Sequence, residues 1–316
     1  MPPFVILIKG VDFMKKVIKI VAGAIISLVL VVAIVLGGNT FFYYPHYNKN
    51  KQESNIKIEN TEQIKMMSYN LRCISPTDFG KKAWFYRANL VVKDIEEQKP
   101  GIIGFQEATK WHYSYLVDCL KGYDSIITYR DEAFNSEGCP IFYNTELYTL
   151  VDKGSFWLSE TPDVMSKSWG AQFNRVCSYV ILTDKTINEN FVVFNTHLSH
   201  VSDEARINGI KVVLDKIKEF GGYPSVIMGD FNALEGSETY VSVTENFLDA
   251  QKVALKSIAS HTYQNWGNPE SFKRIDYFMV SKTGFKVESY NVLSGVRDGV
   301  YTSDHCPIIL EVKIEK

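Results

Sequence analysis

The hydrophobic and polar positions of this chain fall into two regimes. Residues 20–38 (IVAGAIISLVLVVAIVLGG) form an unbroken run of nineteen apolar or small residues with no polar face. About twenty such residues span a bilayer, so the run predicts a transmembrane helix. Lys15, Lys16 and Lys19 precede it, and Phe41, Phe42, Tyr43 and Tyr44 follow it. The lysines place the N-terminus in the cytoplasm, and the aromatic residues resemble an interfacial belt. A cleaved signal peptide is the competing reading, but the run is long for one and no A-x-A site follows it. The expected layout is a cytoplasmic N-terminus over 1–16, a single-pass anchor in the cell membrane over 17–38, a polar solvated tether over 39–62, and an extracytoplasmic domain over 63–316. Met14-Lys15-Lys16 would itself be a natural start, so residues 1–13 read either as an upstream extension or as a misassigned start.

From residue 63 the pattern changes to short apolar runs alternating with amphipathic ones. Residues 64–69 read as a strand ending at Asn70, and 84–98 (WFYRANLVVKDIEEQ) have helical spacing stopped by Pro100-Gly101. Residues 101–107 read as a buried strand and 109–121 as a helix. Strands are expected near 124–129, 138–143 and 147–151, with 152–175 as a long Gly/Ser/Pro-containing loop. Further strands at 176–183 and 190–196 precede a helix over 203–220, closed by Gly221-Gly222. A β-rich run, Pro224–Ile227, leads into Met228-Gly229-Asp230-Phe231-Asn232. Loop and helix occupy 236–254, and the last strands lie near 273–280, 285–292 and 306–314. Strands alternating with helices predict an α/β domain.

One feature recurs through this pattern. Asn70, Glu107, His197, Asp230 with Asn232, Asp276, and Asp304 with His305 all sit where a hydrophobic strand is expected to end. A single Asp/Asn pair such as GDFN is more often a turn. Several strands each delivering Asn, Asp, Glu or His to a terminus suggest one convergent polar site at a sheet edge.

Composition narrows the chemistry. The chain has 316 residues, 46% hydrophobic and 22% charged, with net charge −2. A near-neutral balance gives no support for the strongly basic surface that non-specific nucleic-acid binding needs. The five cysteines are scattered with no CxxC pair, which argues against a thiolate zinc site and a disulfide framework. The polar residues suit phosphate-ester hydrolysis, which needs a cation on the non-bridging oxygens, an orienter for water and help for the leaving oxygen. Glu107 is the principal candidate metal ligand; alone, it would equally read as a cap for the following helix. Mg2+ keeps several waters and needs only one or two carboxylates, so Glu107 with Asn70 and Asp304 suffices. Mn2+ accepts the same oxygen ligands. His305, in SDHCP, has Asp276 as a candidate orienting carboxylate, an arrangement that raises imidazole basicity.

The ordered set SYN (to Asn70), GFQE (to Glu107), NTH (to His197), GDFN (to Asn232), RIDY (around Asp276) and SDH (to His305) resembles the endonuclease/exonuclease/phosphatase superfamily, with its deoxyribonuclease I-like fold. The likeness runs from about residue 64 to 314. It implies a two-sheet α/β sandwich, here after a single N-terminal transmembrane helix, and metal-dependent cleavage of phosphate esters. It also implies that Asp276 and His305 form the pair beside the scissile phosphate, with Asp230 and Asn232 touching phosphate or water. His197 matches the second imidazole of the family's hydrolases, and Glu137 in SEGCPIFY matches the glutamate that orients it. His200 is either a substrate contact or a helix cap, and Arg206 either a phosphate contact or a helix-surface partner. The block around Trp157, Trp169 and Arg175 either stacks on substrate or packs in the core. The expected partner is a phosphate ester, with a small diester or monoester ahead of nucleic acid and phospholipid; sphingomyelinases share the fold. The chain is expected to act as a monomer. A catalytically silent surface-binding module is the non-enzymatic alternative.

Overall fold

The computed structural model describes residues 3–59 and 62–315. Met1 as a start, and positions 60, 61 and 316 of the expected tether and domain, lie outside the described residues. The strands are β1 (Ile64–Asn70), β2 (Ile102–Gln106), β3 (Tyr123–Ile126), β4 (Ile141–Asn144), β5 (Tyr148–Trp157), β6 (Val176–Asp184), β7 (Glu189–His197), β8 (Ser225–Asp230), β9 (Phe247–Asp249), β10 (Lys256–Ile258), β11 (Asp276–Ser281), β12 (Phe285–Val292) and β13 (Ile308–Ile314). They form two sheets. One has seven strands in the order β10-β12-β13-β1-β2-β4-β3, and the other six in the order β9-β11-β8-β7-β6-β5.

The sheets pack face to face, with helices outside both. Met66, Ile102 and Leu310 of the first sheet meet Val193, Met228 and Phe278 of the second in one core between them. A second core lies under α3 (Trp84–Gln98) and α4 (Lys110–Cys119), and a third under α5 (Asp203–Lys218) and α6 (Glu238–Thr244). The central strands are therefore buried on both faces, which is why β1, β2 and β8 carry adjacent apolar residues such as Met66-Met67, Ile102-Ile103 and Val226-Ile227-Met228 instead of a strict alternation. A polar contact pins the sheets together: Gln106 Nε2 donates to Asn195 Oδ1 at 2.7 Å, and Asn195 Nδ2 donates to the Phe105 and Pro140 carbonyls at 2.8 Å each.

The two-sheet α/β sandwich is present, with three local departures from expectation. β5 continues to Trp157, because residues 152–157 pair with β6 along their whole length, up to Trp157 opposite Val176. The polar composition of DKGSFW suits the half-exposed edge strand it forms. Asp276, Asp304 and His305 stand at strand entrances: β11 runs antiparallel to β8, and β13 antiparallel to β1, so their beginnings reach the edge where β1, β2, β7 and β8 finish.

The third departure is the tether. Helix α1 runs from Pro3 to Phe41, and its apolar part, Phe13–Val35, has no buried residues. Helix α2 (Tyr44–Lys49) follows at once. Phe41 lies 5.3 Å from Phe85 and 5.9 Å from Trp111 by ring centroids, Tyr43 lies 5.1 Å from Tyr86, and Tyr47 is buried against Phe85 and Tyr115. Lys51 pairs with Asp118, and Ser54–Asn55 form a short parallel ladder with Leu120–Lys121. The expected solvated tether is thus docked on α3 and α4 through its aromatic side chains, which a count of its polar residues hides.

Candidate active site

Six chain segments meet at one edge of the sandwich. β7 and β8 are parallel, with His197 opposite Asp230, and Asp230 in turn lies opposite Asp276 of β11. This register requires Gly229. Its φ is +136°, and a Cβ there would lie 1.9 Å from the Thr196 carbonyl oxygen. The first sheet contributes Asn70, Glu107 and the Asp304-His305 pair. Glu107, Arg72 and Asn232 all have left-handed backbone, with φ of 58°, 58° and 48°. Such conformations cost about 1 kcal/mol or more for residues other than glycine and gather at functional sites.

Asp230 is the hub. Its Oδ2 accepts a hydrogen bond from Asn70 Nδ2 at 3.0 Å and lies 3.5 Å from His197 Nε2 and 3.7 Å from His305 Nε2. Its Oδ1 accepts the Asn232 backbone N–H at 2.8 Å. Burial and the negative charge of Asp276 push the Asp230 carboxyl up to about 7, although His305 opposes them. His305 Nδ1 lies 2.9 Å from Asp276 Oδ2. Burial would lower this imidazole, but Asp276, Asp230 and Asp304 outweigh it and raise it to about 10. His197 is the opposite case. Burial, reinforced by the charges of Arg175 and Arg130, holds it well below its ordinary value, so it is neutral. Asn232 Nδ2 lies 2.9 Å from His197 Nε2; as donor to that nitrogen it leaves the ring proton on Nδ1. Two imidazoles in one site are thus held in opposite charge states.

Glu107 accepts the Cys73 backbone N–H at 2.7 Å and Asn70 Nδ2 at 3.2 Å. Burial raises its pKa, but the Cys73 bond and the positive charges of His305 and Arg72 win and hold it below the ordinary carboxylate range. Ligand atoms of Glu107, His197 and Asp230 lie within 4.8 Å of one another, as do those of Asp230, Asp276 and His305. The first group fits a hard divalent cation: it holds an ionised carboxylate whose oxygens keep free lone pairs. The second is closed by the Asp276–His305 hydrogen bond. Asn70 presents its N–H groups to Glu107 and Asp230, while its Oδ1 accepts the Arg72 backbone N–H at 2.9 Å. Asp304 stands at the cleft wall, 3.9 Å from Arg72 Nη1.

Glu137 is in the cleft but does not orient His197. Arg130 takes it in a two-pronged ion pair, at 2.8 and 3.0 Å. The guanidinium fork matches both carboxylate oxygens, which a single imidazole nitrogen cannot do. Burial and the charge of Glu107 still raise Glu137 to about 7. The cleft measures about 510 Å3. Several of its wall residues carry no motif in the sequence: Arg72, Arg130, Phe173, Tyr263 and Lys273. Their one sequence signal is position, since Arg72 lies two residues beyond Asn70 and Lys273 three before Asp276. His200 does reach the cleft, 2.9 Å from Arg175 Nη2 and stacked on Phe173. Arg206 stays on its own helix, bonded to the Ser199 carbonyl and Asp203. Trp157 and Trp169 serve the frame, through bonds to the Arg130 carbonyl and from Ser202 Oγ.

A carboxylate hub between two imidazoles, with a glutamate alongside and arginines at the wall, is a group of side chains suited to phosphate esters, set on a two-sheet sandwich. The model of the Endonuclease/Exonuclease/phosphatase family matches residues 67–305, and the chain belongs to that family, whose members are hydrolases acting on phosphate esters. Among solved structures, an endonuclease/exonuclease/phosphatase from Bacteroides vulgatus is 30% identical with a TM-score of 0.76, covering 80% of this chain and 99% of that one. A mannosyl-6-phosphatase from Bacteroides thetaiotaomicron is 32% identical with a TM-score of 0.71, covering 79% and 99%. An RNA exonuclease of Saccharomyces cerevisiae is 23% identical over 323 residues, covering 83% of this chain and 86% of its own length.

Proposed function

We propose that this chain is a Mg2+-dependent phosphoesterase, held at the membrane by α1 with its domain outside the cytoplasm, and that it hydrolyses small phosphate monoesters. The observation that carries the reading is the hub at Asp230, shared by His305, His197 and Asn70. The 510 Å3 cleft, walled by cationic side chains, suits a compact phosphorylated headgroup better than a polymer. The likeness to a mannosyl-6-phosphatase supports a sugar phosphate as the model substrate.

The cation would be held by Glu107 with Asp304 beside it, and it would neutralise charge on the phosphate oxygens; Asn70, expected as a ligand, instead donates to Glu107 and Asp230 and holds those carboxylates in place. The chain's own groups do the rest. His305, as an imidazolium, holds a phosphate oxygen by charge and by its Nε2–H. Asn232 and neutral His197 orient the attacking water. Asp230 takes the water's proton as the water oxygen bonds to phosphorus; the ester P–O bond breaks, and the proton passes to the departing alkoxide. Chelation of the purified full chain should abolish hydrolysis of mannose 6-phosphate and p-nitrophenyl phosphate, and Mg2+ should restore it. Turnover that persists in excess chelator counts against the reading.

A further inference from the structure

The docked segment fixes where the catalytic edge lies relative to α1. Phe41, the last residue of α1, touches Phe85 and Trp111, the second residues of α3 and α4. Each of those helices starts just after a catalytic loop, one carrying Asn70 and Arg72, the other Glu107. The apolar helix therefore joins the domain on the edge where the cleft opens. The distance is short. Val35 ends the 23-residue apolar stretch, and six residues of helix to Phe41 rise about 9 Å, only slightly more than the roughly 5–8 Å headgroup layer on one side of a bilayer.

The same edge exposes apolar side chains that the fold does not use. Phe42 is 72% exposed, Phe79 52% and Phe134 85%. Phe79 lies six residues before Phe85, on the loop that carries Arg72. Phe134 lies on the loop that carries Arg130 and Glu137, and Asn135 beside it donates to the Ile74 carbonyl at 3.0 Å, joining the two loops. Exposed Lys81 and Lys82 follow Phe79 on its loop, and Glu132 is the exposed acid on the loop of Phe134. Aromatic tips with lysines are the composition of a surface that rests in lipid headgroups.

We propose that the rim of the cleft rests on the bilayer that holds α1, and that the site draws its phosphate ester from the headgroup of a membrane amphiphile. This rests on the phosphoesterase and anchor readings above and deepens them: it names the surface from which substrate arrives. A domain held at the headgroup layer by a docked helix meets lipid headgroups at a far higher local concentration than dissolved esters.

The test uses the full chain in vesicles of phosphatidylcholine and phosphatidylglycerol. Phe134→Trp is compared with Tyr223→Trp, at the far edge of the sandwich where β8 begins, with phosphatidylcholine brominated near the headgroup as quencher. The proposal expects the added emission of F134W to be quenched and that of Y223W to be untouched. Equal quenching of both, quenching of neither, or recovery of the chain free of vesicles overturns it. A second arm compares p-nitrophenyl phosphate with phosphatidic acid in the same vesicles. Phe79→Ser with Phe134→Ser should cut phosphatidic acid turnover about tenfold and leave p-nitrophenyl phosphate turnover unchanged. Equal turnover by wild type and double variant on both substrates overturns the supply from the bilayer. Failure of the phosphoesterase reading shows separately, as no chelator-sensitive hydrolysis of either substrate, while the quenching still decides the position of the rim.

Discussion

Asp230 and His305 carry opposed demands. The hub must be ionised to take a proton, and the imidazole must be protonated to hold phosphate. With Asp230 near 7 and His305 near 10, both conditions hold between those values. The sign follows directly: kcat/KM should rise as pH passes about 7 and fall as it passes about 10, the two limbs belonging to the linked pair. A profile flat from pH 6 to 8 contradicts the role of Asp230. His305→Ala and His197→Ala should each lower kcat by roughly 10²–10⁴-fold on p-nitrophenyl phosphate while the domain stays folded by far-ultraviolet dichroism; His305→Ala should also lower Tm, because it strips Asp276 of its buried partner. Gly229→Ala acts differently. The new methyl meets the Thr196 carbonyl within a paired ladder, so both stability and activity should fall; a Tm loss equivalent to about 3 kcal/mol is expected.

At the scale of elements, the loops beyond β1 and before β13 are held by one buried cation. Arg87 of α3 donates to the carbonyls of Lys82, Arg72 and Thr302 at 2.9, 2.9 and 2.8 Å. Arg87→Met leaves those three acceptors bare, and calorimetry should record a loss of about 3 kcal/mol. The helices themselves were legible in the sequence. The apolar spacing of WFYRANLVVKDIEEQ and its Pro-Gly stop give α3 its observed bounds, Trp84–Gln98. The edge strand beyond Leu150 was not legible, because its partner β6 lies across a loop and local composition carries no trace of the pairing. The docking of Tyr43, Tyr44 and Tyr47 on α3 and α4 was hidden for the same reason: packing is a long-range fact. In the site, the motif residues Asn70, Glu107, His197, Asp230, Asp276 and His305 could be picked out by position, since a polar residue next to a buried run has few structural uses. Arg130 could not. Nothing local marks it as the partner of Glu137, and the bidentate pair forms only when the loop over 127–140 folds back.

On the scale of the whole molecule, each half of the site belongs to a different sheet. Asn70, Glu107 and His305 come with the seven-stranded sheet, and His197, Asp230 and Asp276 with the six-stranded one. The hydrogen bonds at Asp230 and Asp276 cross from one to the other. Neither sheet alone holds a working set, so turnover reports how the two are joined. In refolding, strand pairing and contraction are expected to precede the Gln106–Asn195 contact that locks one sheet over the other. A contracted state with both sheets made but loosely apposed should have native far-ultraviolet dichroism and no activity. Stopped-flow dichroism followed beside recovered turnover should resolve the two events in that order, so catalysis serves as the clock for the last step of folding.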